Sequence, residues 1–268
     1  AKNLYFNHQT TYQYDHPVSY ALQQLRLHPK SESGQSIVDW LILVEGGKVE
    51  CEFQDHNQNH VHLISIEPGR GALEIKCEGT VELSNNAGVV GKHTGFTPLW
   101  YYQRSTELTN PGPTIRKFAR MSGSKHSDHI SRMHALSSSI LAKIKYETGT
   151  TDADTTAENS LKSGSGVCQD HTHVFITIAR LFGYPARYVS GYLMLENSIE
   201  QNASHAWAEV HLEGLGWVGF DVSNGISPDD RYVRIATGLD YREAAPVSGI
   251  WFGGGKESMT VKLQVQQQ

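Results

Sequence analysis

Alternation with a period of two residues governs the first third of the chain. Leu4, Phe6, His8, Thr10, Tyr12 and Tyr14 occupy every second position, and Leu73, Ile75, Cys77, Gly79, Val81 and Leu83 repeat the pattern. Successive side chains of a strand point to opposite faces, so these runs suit strands with one face turned inward. Gly46-Gly47, Asp55 to Asn59 and Pro68-Gly69 supply turn chemistry between them, at the spacing an antiparallel array needs. Residues 1–85 are therefore expected to form a β-sandwich. From Asn85 to Pro113 the periodicity lapses while Asn, Gly and three prolines accumulate. Residues 86–113 are expected to be a connector packed on the surface, marking the boundary between two units.

Intervals of three and four then replace the alternation. Ile130, Met133, Leu136, Ile140, Leu141 and Ile144 share one stripe behind Ser127, a candidate helix cap. Val174, Phe175, Ile178, Ala179 and Phe182 share a second, which stops at Gly183-Tyr184-Pro185. Strand-like runs follow: Arg187 to Leu195, His205 to Leu212, Trp217 to Val222 and Met259 to Val265. Helices followed by an antiparallel sheet make residues 114–268 a second unit and the chain as a whole α+β.

Composition narrows the function classes. The 268 residues, 38% hydrophobic and 19% charged, can bury a sizeable core. The longest apolar runs, such as Trp40 to Val44, fall far below the ~20 residues of a membrane span. Ala1 to Gln13 shows no basic segment leading into an apolar one, so no secretory signal is expected in the chain. A net charge of −5 with both signs interspersed gives no Lys/Arg stripe for nucleic acid or an anionic membrane and suits a small polar or peptide substrate. Cys51, Cys77 and Cys168 make no disulfide framework, which points to a reducing compartment, by default the cytoplasm.

The segment that carries chemistry reads G-S-G-V-C-Q-D from Gly164. Its glycines let the chain turn tightly into a helix, which places Cys168 at the first turn, where unpaired N–H groups and the helix dipole favour an anion. A thiolate is the nucleophilic form of cysteine, and a helix start beside an imidazolium stabilises it. Cys51 and Cys77 lie in alternating segments without such surroundings and are expected to be small core residues.

A base for this thiol must be one of fourteen histidines. In S-H-A-W-A-E-V-H-L, Ala206, Ala208, Val210 and Leu212 alternate with His205, Trp207, Glu209 and His211, and in G-W-V-G-F-D-V the apolar Val218, Phe220 and Val222 alternate with Trp217, Gly219 and Asp221. If the two strands pair, His205 and Asp221 share a face only when the paired residue numbers sum to an even value. Leu212 opposite Gly216 meets that condition through a three-residue turn, Glu213-Gly214-Leu215. A regular two-residue turn would part them. In the first case His205 gains the carboxylate that a base needs on its second ring nitrogen.

The ordered motifs G-V-C-Q-D-H-T-H, G-Y-P-A-R-Y-V-S-G-Y, S-H-A-W-A-E-V and G-W-V-G-F-D resemble the bacterial transglutaminase-like family, whose members are often labelled cysteine proteases. H-Q-T-T-Y-Q-Y through L-R-L-H-P resembles the β-rich region ahead of that family's core. The resemblance implies a papain-like core with a Cys-His-Asp triad at Cys168, His205 and Asp221. It further implies a peptidase, amidase or acyltransferase that acts on a peptide or isopeptide carboxamide through a thioester, without a cofactor. The chain departs from many relatives in D-V-S-N-G, which has no proline after Asp221, and no tryptophan matches the oxyanion-hole indole of eukaryotic transglutaminases.

Further candidates have structural readings beside the functional ones. Asp170 most simply complements the helix dipole. Trp207 either walls a substrate channel or packs, and Tyr192 and Arg187 either line the site or serve the fold. His126, His129 and His134 read as a solvated face. A metal hydrolase would use His171 and His173, but two helix positions ~200° apart cannot share one ion, so no metal is expected. A noncatalytic peptide-binding scaffold is the other alternative.

Overall fold

A computed structural model of the chain describes residues 1–122, 128–196, 198–201, 204–252 and 256–268. The N-terminal runs form β1 (Lys2–Tyr14), β2 (Tyr20–His28), β3 (Gln35–Glu45), β4 (Gly47–Gln54), β5 (His60–Ile66) and β6 (Ala72–Leu83). Along β1 the even-numbered residues from Leu4 to Tyr14 are buried and their neighbours are not, as a strand covered on one face requires. Two sheets face each other across a core that includes Tyr12, Leu25, Ile64, Leu73, Ile75 and Cys77, giving a sandwich.

The middle of the chain adds β7 (Val89–Gly91), one tight helical turn at Leu99–Gln103, α1 (Pro113–Ser122), α2 (His129–Lys143), β8 (Lys145–Tyr146), α3 (Ala157–Ser163), β9 (Ser165–Gly166) and α4 (Cys168–Leu181). After these come β10 (Ala186–Leu193), β11 (Glu200–Gln201), β12 (His205–Leu212), β13 (Gly216–Phe220), β14 (Tyr232–Gly238), α5 (Tyr241–Ala244), β15 (Val247–Phe252) and β16 (Glu257–Gln267). A five-stranded sheet in the order β14-β10-β12-β13-β7 carries α4 across β10 and β12. From Asp170 to Arg180 every residue of α4 is buried, so it is the central helix of an α+β fold. No helix among the described residues is long and apolar enough to cross a membrane.

Several elements depart from the sequence reading. Met259 to Val265, expected in the second unit's sheet, lies in β16, which pairs antiparallel with β1 from Leu4↔Gln267 to Tyr14↔Glu257, while β15 pairs with β2. Alternation marks a strand but carries no sign of which distant strand it joins. The connector is more than a surface segment, because β7 pairs with the edge strand β13 and Tyr102, Leu108 and Thr109 are buried. Buried Arg180 accounts for this packing, donating to the carbonyls of Tyr102 (3.0 Å), Ala186 (2.8 Å) and Leu239 (2.6 Å) and to Thr109 Oγ1 (3.0 Å). Cys51, expected in the core, is exposed on the edge strand β4, whereas Cys77 is buried. Ser127 and His126 lie outside the described residues, and Asp128 caps α2 by accepting from the N–H groups of Ile130 and Ser131.

The sandwich meets the five-stranded sheet through Leu4, Phe6 and Val81 on one side and Tyr192, Val233 and Ile235 on the other. Each fully buried apolar side chain contributes about 1.5–3 kcal/mol to that joint. The Tyr192 hydroxyl hydrogen-bonds His8 Nδ1 at 2.5 Å, and its ring stacks on Phe6.

Candidate active site

Cys168 is placed by the turn that precedes it. Gly164 caps α3 with φ +76, and Ser165-Gly166 then pairs parallel with Lys145-Tyr146 and leads directly into α4. A Cβ on Gly166 would stand 2.7 Å from Asp170 Oδ2, so only glycine lets that carboxylate fold back. Asp170 Oδ2 accepts from the Val167 N–H (2.8 Å) and the Thr151 hydroxyl (2.7 Å), which ties down the entry to the helix. Burial pushes the Asp170 carboxyl up against these hydrogen bonds, and its Oδ1 has no partner among the described residues. Cys168 itself is partly exposed.

The β12–β13 hairpin closes with Leu212 opposite Gly216 and runs in even register to Ala208 opposite Phe220. Gly214, at φ +82, turns the chain within Glu213-Gly214-Leu215. His205 and Asp221 therefore share a face, and His205 Nε2 lies 2.7 Å from Asp221 Oδ2. The other ring nitrogen is left for Cys168. Burial opposes charge on the imidazole, but the Asp221 hydrogen bond, the approach of Cys168 and the charges of both push the His205 pKa up to about 10. Asp221 is fully buried; that burial works to raise its pKa, yet His205, Asn224 and Tyr232 together hold it below the usual carboxylate value.

Asn224 and Tyr232 are the residues the sequence did not single out. Asn224 Nδ2 and the Tyr232 hydroxyl each donate to Asp221 Oδ2 at 2.7 Å, and the Asn224 N–H reaches Oδ1 at 3.3 Å. The Tyr232 phenol is pushed up by burial and by Asp221, so it remains a donor. Trp207 is buried and meets the Tyr232 ring edge-on at 5.4 Å; it stands behind the pair rather than on an open wall. Tyr146, half exposed, is raised by burial and by the charges of Cys168 and Asp221, which puts it beside the same centre.

Other candidates separate from this centre. Tyr192 belongs to the joint with the sandwich. Arg187 pairs with Glu209 (2.7 Å) and lies 4.0 Å over the Trp217 ring. His171 bonds Ser223 Oγ (2.8 Å) and the Ile144 carbonyl (2.9 Å), whereas His173 Nε2 accepts from the Tyr241 N–H (3.1 Å), so the two histidines serve different neighbours. Among the described residues no group of three or more His, Cys, Asp or Glu side chains is arranged to hold a metal ion. His129 and His134 are exposed.

Residues 116–222 match the model of the transglutaminase-like superfamily, and residues 4–82 match that of the bacterial transglutaminase-like N-terminal region. The chain carries a transglutaminase-like core. The crystal structure of a "putative cysteine protease" from Cytophaga hutchinsonii superposes on this transglutaminase-like fold with a TM-score of 0.80, at 21% identity over 100% of this chain and 91% of that one. An uncharacterized protein of Mycobacterium leprae is 24% identical over 96% of each chain. An uncharacterized protein of Mycobacterium bovis is 30% identical over 54% of this chain and 49% of its own length. Cys168, His205 and Asp221 sit within or at the ends of secondary structure elements of the matched core segment, and Tyr232 lies beyond it.

Proposed function

We propose that the chain is a cysteine-dependent amide hydrolase or acyltransferase acting on a peptide or isopeptide carboxamide, with Cys168 as nucleophile, His205 as acid and base, and Asp221 as the orienting carboxylate. The observation that carries this reading is the 2.7 Å His205–Asp221 bond beside a cysteine at a helix start, with the imidazole pKa raised to about 10. An imidazole oriented in this way beside a cysteine supplies the acid and base that nucleophilic catalysis by a thiol needs.

The thiolate attacks the carboxamide carbon, a C–S bond forms and the carbonyl electrons move onto oxygen. The Cys168 N–H, at the start of α4, is the donor we assign to that oxyanion. When the oxyanion collapses the C–N bond breaks, and His205 gives its proton to the departing nitrogen, leaving a thioester and free amine or ammonia. Water or a primary amine then attacks the thioester while His205 takes up its proton, and the Cys168 thiolate is released. Water makes the enzyme an amidase or peptidase, and an amine makes it an acyltransferase. Three unpaired cysteines fit action in a reducing compartment such as the cytoplasm.

The test is turnover of glutamine-containing and isopeptide-linked peptides with and without added primary amine, together with intact-mass detection of the acyl-enzyme. A covalent adduct that disappears in Cys168→Ala supports the reading. Turnover that survives Cys168→Ala would overturn it.

A further inference from the structure

Away from Cys168, a cavity of about 330 Å³ opens between the sandwich and the face of the core sheet turned from α4. Small-molecule sites span ~300–1,000 Å³, so it has room for a compact organic ligand. Lys30, Lys92, Arg187 and His56 line it together with the rings of Tyr102 and Trp217.

The carboxylates around this cavity are already occupied. Glu209 accepts from Arg187 Nε (2.7 Å) and from Arg234 Nε and Nη2 (2.6 and 3.1 Å), and Glu32 is held by Arg234 Nη1. Asp55 is taken by Arg26 and by the N–H groups of Asn57 and Asn59. Glu243 is taken by Asn57, Tyr101 and the Leu239 N–H.

The cations are not matched in the same way. Lys30 Nζ donates to two neutral oxygens, Asn57 O (2.8 Å) and Thr237 Oγ1 (3.2 Å). Burial and the charges of Arg234 and Arg187 hold its pKa well below the usual lysine value, with Glu209 and Asp55 working the other way. Arg187, with a side chain only 9% exposed, commits Nε to Glu209, stacks on Trp217 and engages the Tyr102 hydroxyl. A guanidinium carries five N–H donors, so further donors remain on a residue that lines the cavity. In and directly behind the wall, Lys30, Arg187 and Arg234 stand with Glu32, Glu209 and Asp55, and Lys92 adds a further positive charge at the exposed rim. A guanidinium with donors to spare, next to a lysine and two ring faces, suits an anion that carries an apolar part.

We propose that this cavity binds a small organic oxyanion, a carboxylate or phosphate held between Arg187 and Lys30 with its apolar part against Tyr102 and Trp217. The site is independent of the chemistry at Cys168, and its test reads binding alone. Titration calorimetry of the full chain in low salt near neutral pH, with benzoate, phenyl phosphate and inorganic phosphate as probes, should give a single saturable site. The aromatic probes should bind more tightly than inorganic phosphate. Arg187→Gln removes a charge-assisted donor and should weaken binding by roughly tenfold or more. Thr94→Trp changes an exposed residue of the cavity lining and should block entry without touching the buried charge network, which covers the case in which Arg187→Gln fails to fold. No saturable binding of any probe would overturn the proposal, as would binding that both variants leave unchanged.

Discussion

Asp221→Asn removes one charge while conserving the volume of a fully buried side chain. The rise of the His205 pKa from 6.5 to about 10 corresponds to a ceiling of about 5 kcal/mol in favour of the imidazolium. It is a ceiling because Asp221, Cys168 and burial act on one coupled group. At 14% exposure of the His205 side chain, solvent screening removes little of it. The folded value lies above the unfolded one, so the stabilisation is complete below about 6.5, declines as pH rises and is spent once His205 deprotonates near 10. An amide whose oxygen takes the place of Oδ2 can still accept from His205, Tyr232 and the Asn224 side chain, but it puts its NH2 group where Oδ1 accepts from the Asn224 N–H, donor against donor. In the variant, His205 should titrate well below 10, because Cys168 alone then opposes burial. Turnover should fall by about 10³–10⁴-fold, the scale of losing the carboxylate of a triad. The assays are an NMR titration of the His205 ring, urea unfolding across the pH range and peptide-amide turnover. A His205 midpoint still near 10, or a stability gap between the two proteins that widens from neutral to alkaline pH, would refute the reasoning.

Iodoacetamide near neutral pH should label Cys168 first, exposed Cys51 more slowly and Cys77 not at all, because burial pushes the Cys77 thiol up to about 12. Peptide mapping that finds Cys51 modified faster than Cys168 would remove the electrostatic argument for the site. Tyr232→Phe keeps the ring against Trp207 but deletes a hydrogen bond to a charged oxygen worth ~1.5–3 kcal/mol, so kcat should drop about 10–100-fold with KM little changed. Steady-state kinetics with unchanged kcat would release Tyr232 from a positioning role. Deleting Gly214 shortens the turn to two residues, so activity should be lost, whereas inserting two residues there keeps the parity and should retain it. Equal activity in both loop variants would show that strand parity does not set the pair.

The sequence made the sandwich legible because each strand of β1 and β6 type has one covered face, and a covered face writes a period of two. It could not show where β15 and β16 go. Their alternation suits any sheet with one buried face, and the partner strands β2 and β1 lie at the other end of the chain. Cys51 was misplaced for a related reason: Val49, Cys51 and Phe53 alternate with Glu50, Glu52 and Gln54 as a half-covered strand would, but β4 lies at a sheet edge and neither of its faces is covered. The connector was read as surface because its buried residues are held by the distant Arg180 rather than by periodicity.

The candidate site divides along the same line. Cys168, His205 and Asp221 stand at the starts or ends of regular elements, so their positions follow from helix onset and strand parity, both local rules. Asn224 and Tyr232 reach Asp221 from the turn after β13 and from β14, and neither position obeys a rule that points at a carboxylate. One signal was present: a buried Asp at a strand end must find donors for both oxygens, and one histidine cannot supply them all. The D-V-S-N-G segment, noted for its lack of a proline, is where one of those donors lies. A tight turn there, closed by the Asp221 N–H to the Ile226 carbonyl at 2.8 Å, brings the Asn224 side chain back onto the carboxylate that its own strand presents. The segment noted for its lack of a proline and the extra support for Asp221 are therefore one feature, in which a tight polar turn does the holding.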